Sequence, residues 1–200
     1  MERQRKVLFI MADEHQAAAL SCQGHPVVKT PSLDRLAADG TRFCNAYTPS
    51  PICVPARAAL ATGLYPHQSR HWDNAHAYDG HLPSWGHTLQ AAGIPVTSIG
   101  KLHYRHEDDP TGFDRQIVPM HIQGGVGQVW GSVRNPLPAE RRPGGMLGEV
   151  GPGLSAYNRY DMDVADRAAA WILERAGNSQ PWAAFVSFVA PHFPLTAPPQ

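Results

Sequence analysis

The chain alternates between short, unbroken apolar runs and segments of helical periodicity. Val7-Leu8-Phe9-Ile10-Met11-Ala12 is apolar throughout and bounded by charge, the pattern of a strand buried on both faces of a parallel sheet. Its end, Asp13-Glu14-His15, then falls at a carboxyl edge, where open α/β sheets bind ligands. Ala183-Ala184-Phe185-Val186-Ser187-Phe188-Val189 is a second run and ends in Ala190-Pro191-His192-Phe193-Pro194. Val96-Thr97-Ser98-Ile99 is a third, leading into Gly100-Lys101-Leu102-His103. Thr41 to Tyr47 reads as a further short strand.

Helical signals separate these runs. Thr30 as N-cap, Pro31 at the first helical position and Gly40 as the stop delimit one helix. The alanine-rich stretch from Ala56 to Thr62, ended by Gly63, is another, so that Cys53 lies in a constrained turn just before a helix amino terminus. His87 to Ala92 suggests a third. Asp161 to Ala176 is a fourth, amphipathic through Met162, Ala165, Ala169, Ile172 and Leu173. From about Asp114 to Leu154 the chain is rich in Gly and Pro and reads as a long excursion. Strands alternating with helices define the α/β class with a mostly parallel sheet. Residues 1–200 read as one unit, the amino-terminal part of a single catalytic domain, because the chain reaches a proline-rich loop before any element that would close a domain.

Charge narrows the function classes. Lys plus Arg equals Asp plus Glu at 17 each, so no net field argues for nucleic acid or an acidic membrane surface. The opening apolar run is too short for a secretory signal core or a membrane span, and the expectation is a cytoplasmic protein with no membrane partner. Three cysteines, Cys22, Cys44 and Cys53, without a C-x-x-C pair, support neither a disulfide framework nor a zinc knuckle. The 11 scattered histidines hint at metal or acid/base chemistry.

Within this frame Cys53-Val54-Pro55-Ala56-Arg57 stands out. A cysteine at a helix amino terminus with an arginine one turn on should have its anionic form stabilised by the helix dipole and the guanidinium. An anion-binding or nucleophilic role follows; the alternative is a small hydrophobe buried in a turn.

Pro51-Ile52-Cys53-x-Pro55-Ala56-Arg57-x-x-Leu60-x-Thr62-Gly63 resembles the signature of the formylglycine-dependent sulfatases, whose C-x-P-x-R cysteine is oxidised to formylglycine by a separate generating enzyme. Gly100-Lys101-x-His103 resembles the family's G-K-x-H segment, and Pro191-His192-Phe193-Pro194 its P-H-x-P after a buried strand. Asp13 stands where the family places a calcium-ligating carboxylate. Many sulfatases carry two aspartates there, against Asp13-Glu14 here; members resembling choline sulfatases and phosphonate monoester hydrolases keep only the first acid. His71-Trp72-Asp73-Asn74-Ala75 resembles a substrate-pocket segment of that branch.

The resemblance implies an alkaline-phosphatase-like fold, represented by its amino-terminal half. It implies hydrolysis of a small-molecule sulfate ester, with Cys53, Arg57, Lys101, His103 and His192 as catalytic residues and Asp73 and Asn74 at the substrate. Asp13 and the formylglycine of Cys53 would hold a divalent metal, Ca2+ first and Mn2+ if the phosphonate branch applies, with Glu14 a weaker contender. One hydroxyl of the hydrated aldehyde would attack sulfur while Arg57 and Lys101 offset charge. His192 would protonate the leaving alcohol, and His103 would take the proton from the second hydroxyl. Phosphonate or phosphate ester hydrolysis at the same site, or an inactive fragment, are the competing readings. The oligomeric state, a homo-oligomer included, is left open.

Overall fold

The computed structural model describes residues 6–127 and 150–198. Four strands form one parallel sheet: β1 (Lys6–Ala12), β2 (Val96–Lys101), β3 (Arg115–Met120) and β5 (Trp182–Phe188), in the order β1-β5-β2-β3. A separate parallel pair joins β4 (Val150–Pro152) to β6 (Leu195–Ala197). Although distant in sequence, β5 inserts between β1 and β2, with Phe9 opposite Phe185 and Ile99 opposite Val186.

Alternation along β5 builds two cores. On one face Trp182, Ala184 and Val186 join Ile99 of β2 and pack on Val164, Ala168 and Trp171 of α5 (Ala156–Arg175). On the other, Phe185 packs with Leu102, Tyr78 and Tyr104 against Ala58 and Ala61 of α2 (Cys53–Thr62). Helices α1 (Pro31–Asp39), α3 (Pro66–Ser69) and α4 (Trp85–Ala91) complete the described α-helices.

The α/β class with a parallel sheet is as expected, and five local readings are corrected. Thr41 to Tyr47 is not a strand but an irregular segment that bends at Cys44 and Asn45, with Phe43 and Tyr47 exposed; among the described residues it pairs with no strand. The excursion expected over 114–154 contains β3, whose Pro119 sits on an outer strand of the sheet, where a missing amide costs no ladder bond; residues 128–149 of that stretch lie outside the described residues. Helix α2 starts at Cys53 rather than Ala56, because Pro55 in a first turn gives up only an amide that has no partner there.

The buried face of α5 is also different. It is Val164, Ala168 and Trp171, with Ile172 flanking, while Met162, Ala165, Ala169 and Leu173 are exposed. Two apolar stripes compete on this helix, and the one carrying the Trp171 indole wins by stacking edge-on to Trp182 at 4.9 Å. Finally, β1 is an edge strand with Val7 through Ile10 exposed, not buried on both faces.

Candidate active site

Because the strands are parallel, their carboxyl ends meet at one edge, and the amino terminus of α2 reaches it too. Asp13 follows β1, Lys101 closes β2 and Ser187 lies near the end of β5. All three, with Arg57 of α2, are buried. Lys101 Nζ pairs with Asp13 Oδ2, and Arg57 Nη2 lies 3.7 Å from the same oxygen. Arg57 Nη1 donates to the Lys101 carbonyl at 2.6 Å and to Ser187 Oγ at 3.1 Å. Two buried basic side chains thus share one buried carboxylate.

Backbone geometry aims Lys101. The β2–β3 register shifts between Ile99 and Lys101, as at a bulge, which redirects the side chain that follows. Gly100 makes this feasible: its φ is +98°, and a Cβ there would lie 2.2 Å from the Ser187 carbonyl oxygen.

Cys53 is the first residue of α2 and half-buried. Burial pushes its thiol pKa up and Asp13 adds to this, against the opposing pull of Lys101 and Arg57. The expected stabilisation of the anion by helix and guanidinium is therefore outweighed, and Cys53 is a protonated thiol rather than a ready thiolate. Asn74, expected at the substrate, accepts a hydrogen bond from the Val54 amide through Oδ1 at 3.1 Å, and its own carbonyl accepts from Gly127 at 2.9 Å. It therefore fastens the turn that carries Cys53. Asp73 Oδ1 accepts from the Ala75 amide at 2.9 Å within its own turn.

His192 Nδ1 donates to the Phe193 carbonyl at 2.6 Å, which leaves Nε2 facing the site, 3.4 Å from Glu14 Oε1. His103 has a φ of +52°, and its Nδ1 is buried without a hydrogen-bond partner among the described residues. Burial, then the charges of Lys101 and Arg57, lower its pKa to about 2, so the ring is neutral.

Ligand atoms of Asp13, Cys53 and His192 lie within 4.8 Å of one another, and among the described residues they form the one such group of three able to hold a metal ion. Glu14 is outside it and faces His192 instead. The donor set fits part of a metal shell but not all of one, since a calcium ion takes about 6–8 oxygens. A second observation favours an anionic guest: Arg57 Nε and Nη2 are buried donors with no hydrogen-bond partner among the described residues. Ser187 carries little signal in the sequence. Its only signal is that it is the polar residue in the run Trp182 to Phe188.

A parallel sheet with buried cations at its carboxyl edge, beside a helix amino terminus, is an α/β arrangement suited to an anion, and its likeness to solved sulfatase structures makes the fold alkaline-phosphatase-like. The Sulfatase family profile matches residues 5–200, and the chain belongs to that family. It is similar to the choline-sulfatase of Rhizobium meliloti (strain 1021), 31% identical over 207 residues that cover 96% of this chain and 39% of that protein. An N-acetylglucosamine-6-O-sulfatase of Bacteroides thetaiotaomicron is 37% identical over 120 residues, 59% of this chain and 21% of that protein. The crystal structure of the phosphonate monoester hydrolase of Agrobacterium radiobacter superposes with a TM-score of 0.69 at 25% identity, over 96% of this chain and 42% of that one. The chain therefore spans well under half the length of these relatives.

Proposed function

We propose that the protein hydrolyses sulfate esters to an alcohol and sulfate, as a sulfuric ester hydrolase in which residues 1–200 supply the amino-terminal part of the catalytic domain and Cys53 is oxidised to formylglycine by a generating enzyme in the cytoplasm. The observation that carries this reading is the pair of buried basic side chains, Arg57 and Lys101, that share Asp13 beside Cys53. Two buried basic side chains, one with unspent guanidinium donors among the described residues, suit a tetrahedral anion. A raised thiol pKa is no handicap to a residue that serves as the precursor of an aldehyde.

Asp13 and the modified Cys53 would contribute to holding a divalent metal, Ca2+ by preference for oxygen donors or Mn2+, while His192 beside them keeps Nε2 for proton transfer. When present, the formylglycine hydrate supplies the nucleophile and the metal supplies further positive charge at the sulfate oxygens. The chain's own residues do the rest. Arg57, fixed to the Lys101 carbonyl and Ser187, orients the modified side chain and offsets charge developing there. Lys101 neutralises the transferred group. His192 Nε2, which in the charged ring carries a proton, donates it to the departing alcohol oxygen. His103, whose buried Nδ1 has no hydrogen-bond partner among the described residues, is the candidate to take the proton from the second hydroxyl, against the opposition of burial and of Lys101 and Arg57 to its charging. Asn74 and Asp73 shape the substrate side of the turn that presents residue 53.

The similarity to a phosphonate monoester hydrolase structure favours one second reading, hydrolysis of phosphonate or phosphate esters by the same groups. Assaying the matured full-length protein in parallel on an aryl sulfate, a phosphodiester and a phosphonate monoester decides between them. The proposal expects the highest kcat/KM on the sulfate; a preference for either phosphorus ester would replace it with the second reading.

A further inference from the structure

The first turns of α5 grip the segment that carries His192. Asp161 Oδ1 accepts the Val189 amide at 2.8 Å and Oδ2 accepts the Ala190 amide at 2.7 Å. These are the two residues that follow β5 and precede Pro191-His192, and the turn closes with the His192 amide donating to the Val189 carbonyl at 2.9 Å. One helical turn before Asp161, the Tyr157 ring stands edge-on to the His192 ring, with centroids 6.2 Å apart. Asn158 Oδ1 accepts from Thr196 Oγ1 at 2.8 Å on the far side of the same segment. One turn beyond, Val164 packs at Gly100, just before Lys101. Residues 157, 161 and 164 share one helix face, so a single face meets both His192 and the bulge that aims Lys101.

We propose that Asp161 is the positioning residue of His192: its carboxylate clamps the Val189-Ala190 amides and thereby sets where His192 Nε2 lies relative to Asp13 and Cys53. A carboxylate suits this task because both of its oxygens accept and neither donates, whereas an amide would turn an NH2 group toward one of the two N–H donors. Bonds of this kind to an ionised acceptor are stronger than neutral ones. The effect on turnover rests on the reading of His192 as proton donor; the effect on the turn does not.

The test uses the full-length protein with Asp161→Asn, and Tyr157→Ala as a second, milder variant that leaves the amide clamp in place. Amide exchange at Val189 and Ala190 in Asp161→Asn is expected to rise roughly 10- to 100-fold, with Trp171 and Val186 unchanged. The His192 ring resonances should shift in both variants. Turnover of a poor-leaving-group alkyl sulfate should fall about tenfold or more, while an activated aryl sulfate changes little. In a His192→Ala background, Asp161→Asn should have no further effect. Additive losses in that background, or unaltered exchange at Val189 and Ala190, overturn the proposal. If His192→Ala itself turns over normally, the proton-donor reading falls, and the exchange rates with the ring resonances alone decide whether Asp161 positions His192.

Discussion

β1 and β5 lie side by side in parallel register and are both built almost wholly of apolar residues, yet they meet opposite fates. Phe185 is 3% exposed, whereas its partner Phe9, stacked on it at 5.3 Å, is 41% exposed. The difference lies in neighbours. β5 has a strand on each side and a helix on each face; among the described residues β1 pairs with β5 alone. Burial is thus a property of the assembled sheet and not of a strand's composition. The contrast reaches the site, because β5 leads to His192 and β2 to Lys101, while Asp13 hangs from the thinly supported β1. An apolar groove of about 370 Å³ bounded by Phe9, Met11, Tyr47, Leu60 and Tyr65 runs beside that strand.

The largest expected effect separates the two regions functionally. Residues 1–200 expressed alone, even with Cys53 fully oxidised, should show no measurable sulfate release, weak binding of calcium and manganese, and poor solubility. Asp13 and the oxidised Cys53 cannot complete a calcium shell, and an uncovered apolar edge strand invites association. Titration calorimetry and a sulfate-release assay check this; tight metal binding with turnover would show that the supported centre suffices without further cover on β1.

Next come the charge-stabilising side chains of the well-packed centre. In the matured full-length protein, Arg57→Ala and Lys101→Ala should each lower turnover by about 10²–10³, with the circular dichroism spectrum retained. Arg57→Ala should stay impaired when mass spectrometry shows the aldehyde already in place, since its role includes orienting the modified residue as well as any part in maturation. Near-normal rates for either variant would remove that residue from the site.

A smaller effect tests the packing comparison directly. Phe185→Ala should destabilise the 200-residue chain by about 3–5 kcal/mol in a denaturant titration, while Ile10→Thr on exposed β1 should change stability by no more than about 0.5 kcal/mol. Ile10→Thr should also reduce aggregation of the isolated chain by making its edge more polar. Equal costs at the two positions would mean that β1 is covered after all.

Much of the fold was legible in the sequence because its signals are local. The apolar runs at Val7–Ala12, Val96–Ile99 and Ala183–Val189 mark the three strands that carry the site, and the Thr30-Pro31…Gly40 punctuation frames α1. Arg115–Met120 was hidden by Pro119, whose cost depends on the strand's place at the sheet's edge. The early start of α5 was marked by Ser155 and Asn158, which bond reciprocally as a capping box with Asn in place of the usual Glu or Gln. Counting apolar positions points to a different face of α5 because it ignores the volume of Trp171. In the site, Cys53, Arg57, Lys101 and His192 announced themselves through motifs. Ser187 and Asp161 did not, because their roles arise from contacts 130 and 28 or more positions away in the chain.

The central claim is that Cys53 is the precursor of the nucleophile, and peptide mass spectrometry of the full-length protein made alongside a formylglycine-generating enzyme tests it most directly. The account predicts an aldehyde at Cys53, with Cys22 and Cys44 left as thiols, since only Cys53 has proline two and arginine four positions later. An unmodified Cys53 thiol under full maturation, or an aldehyde at Cys22 or Cys44, would contradict it.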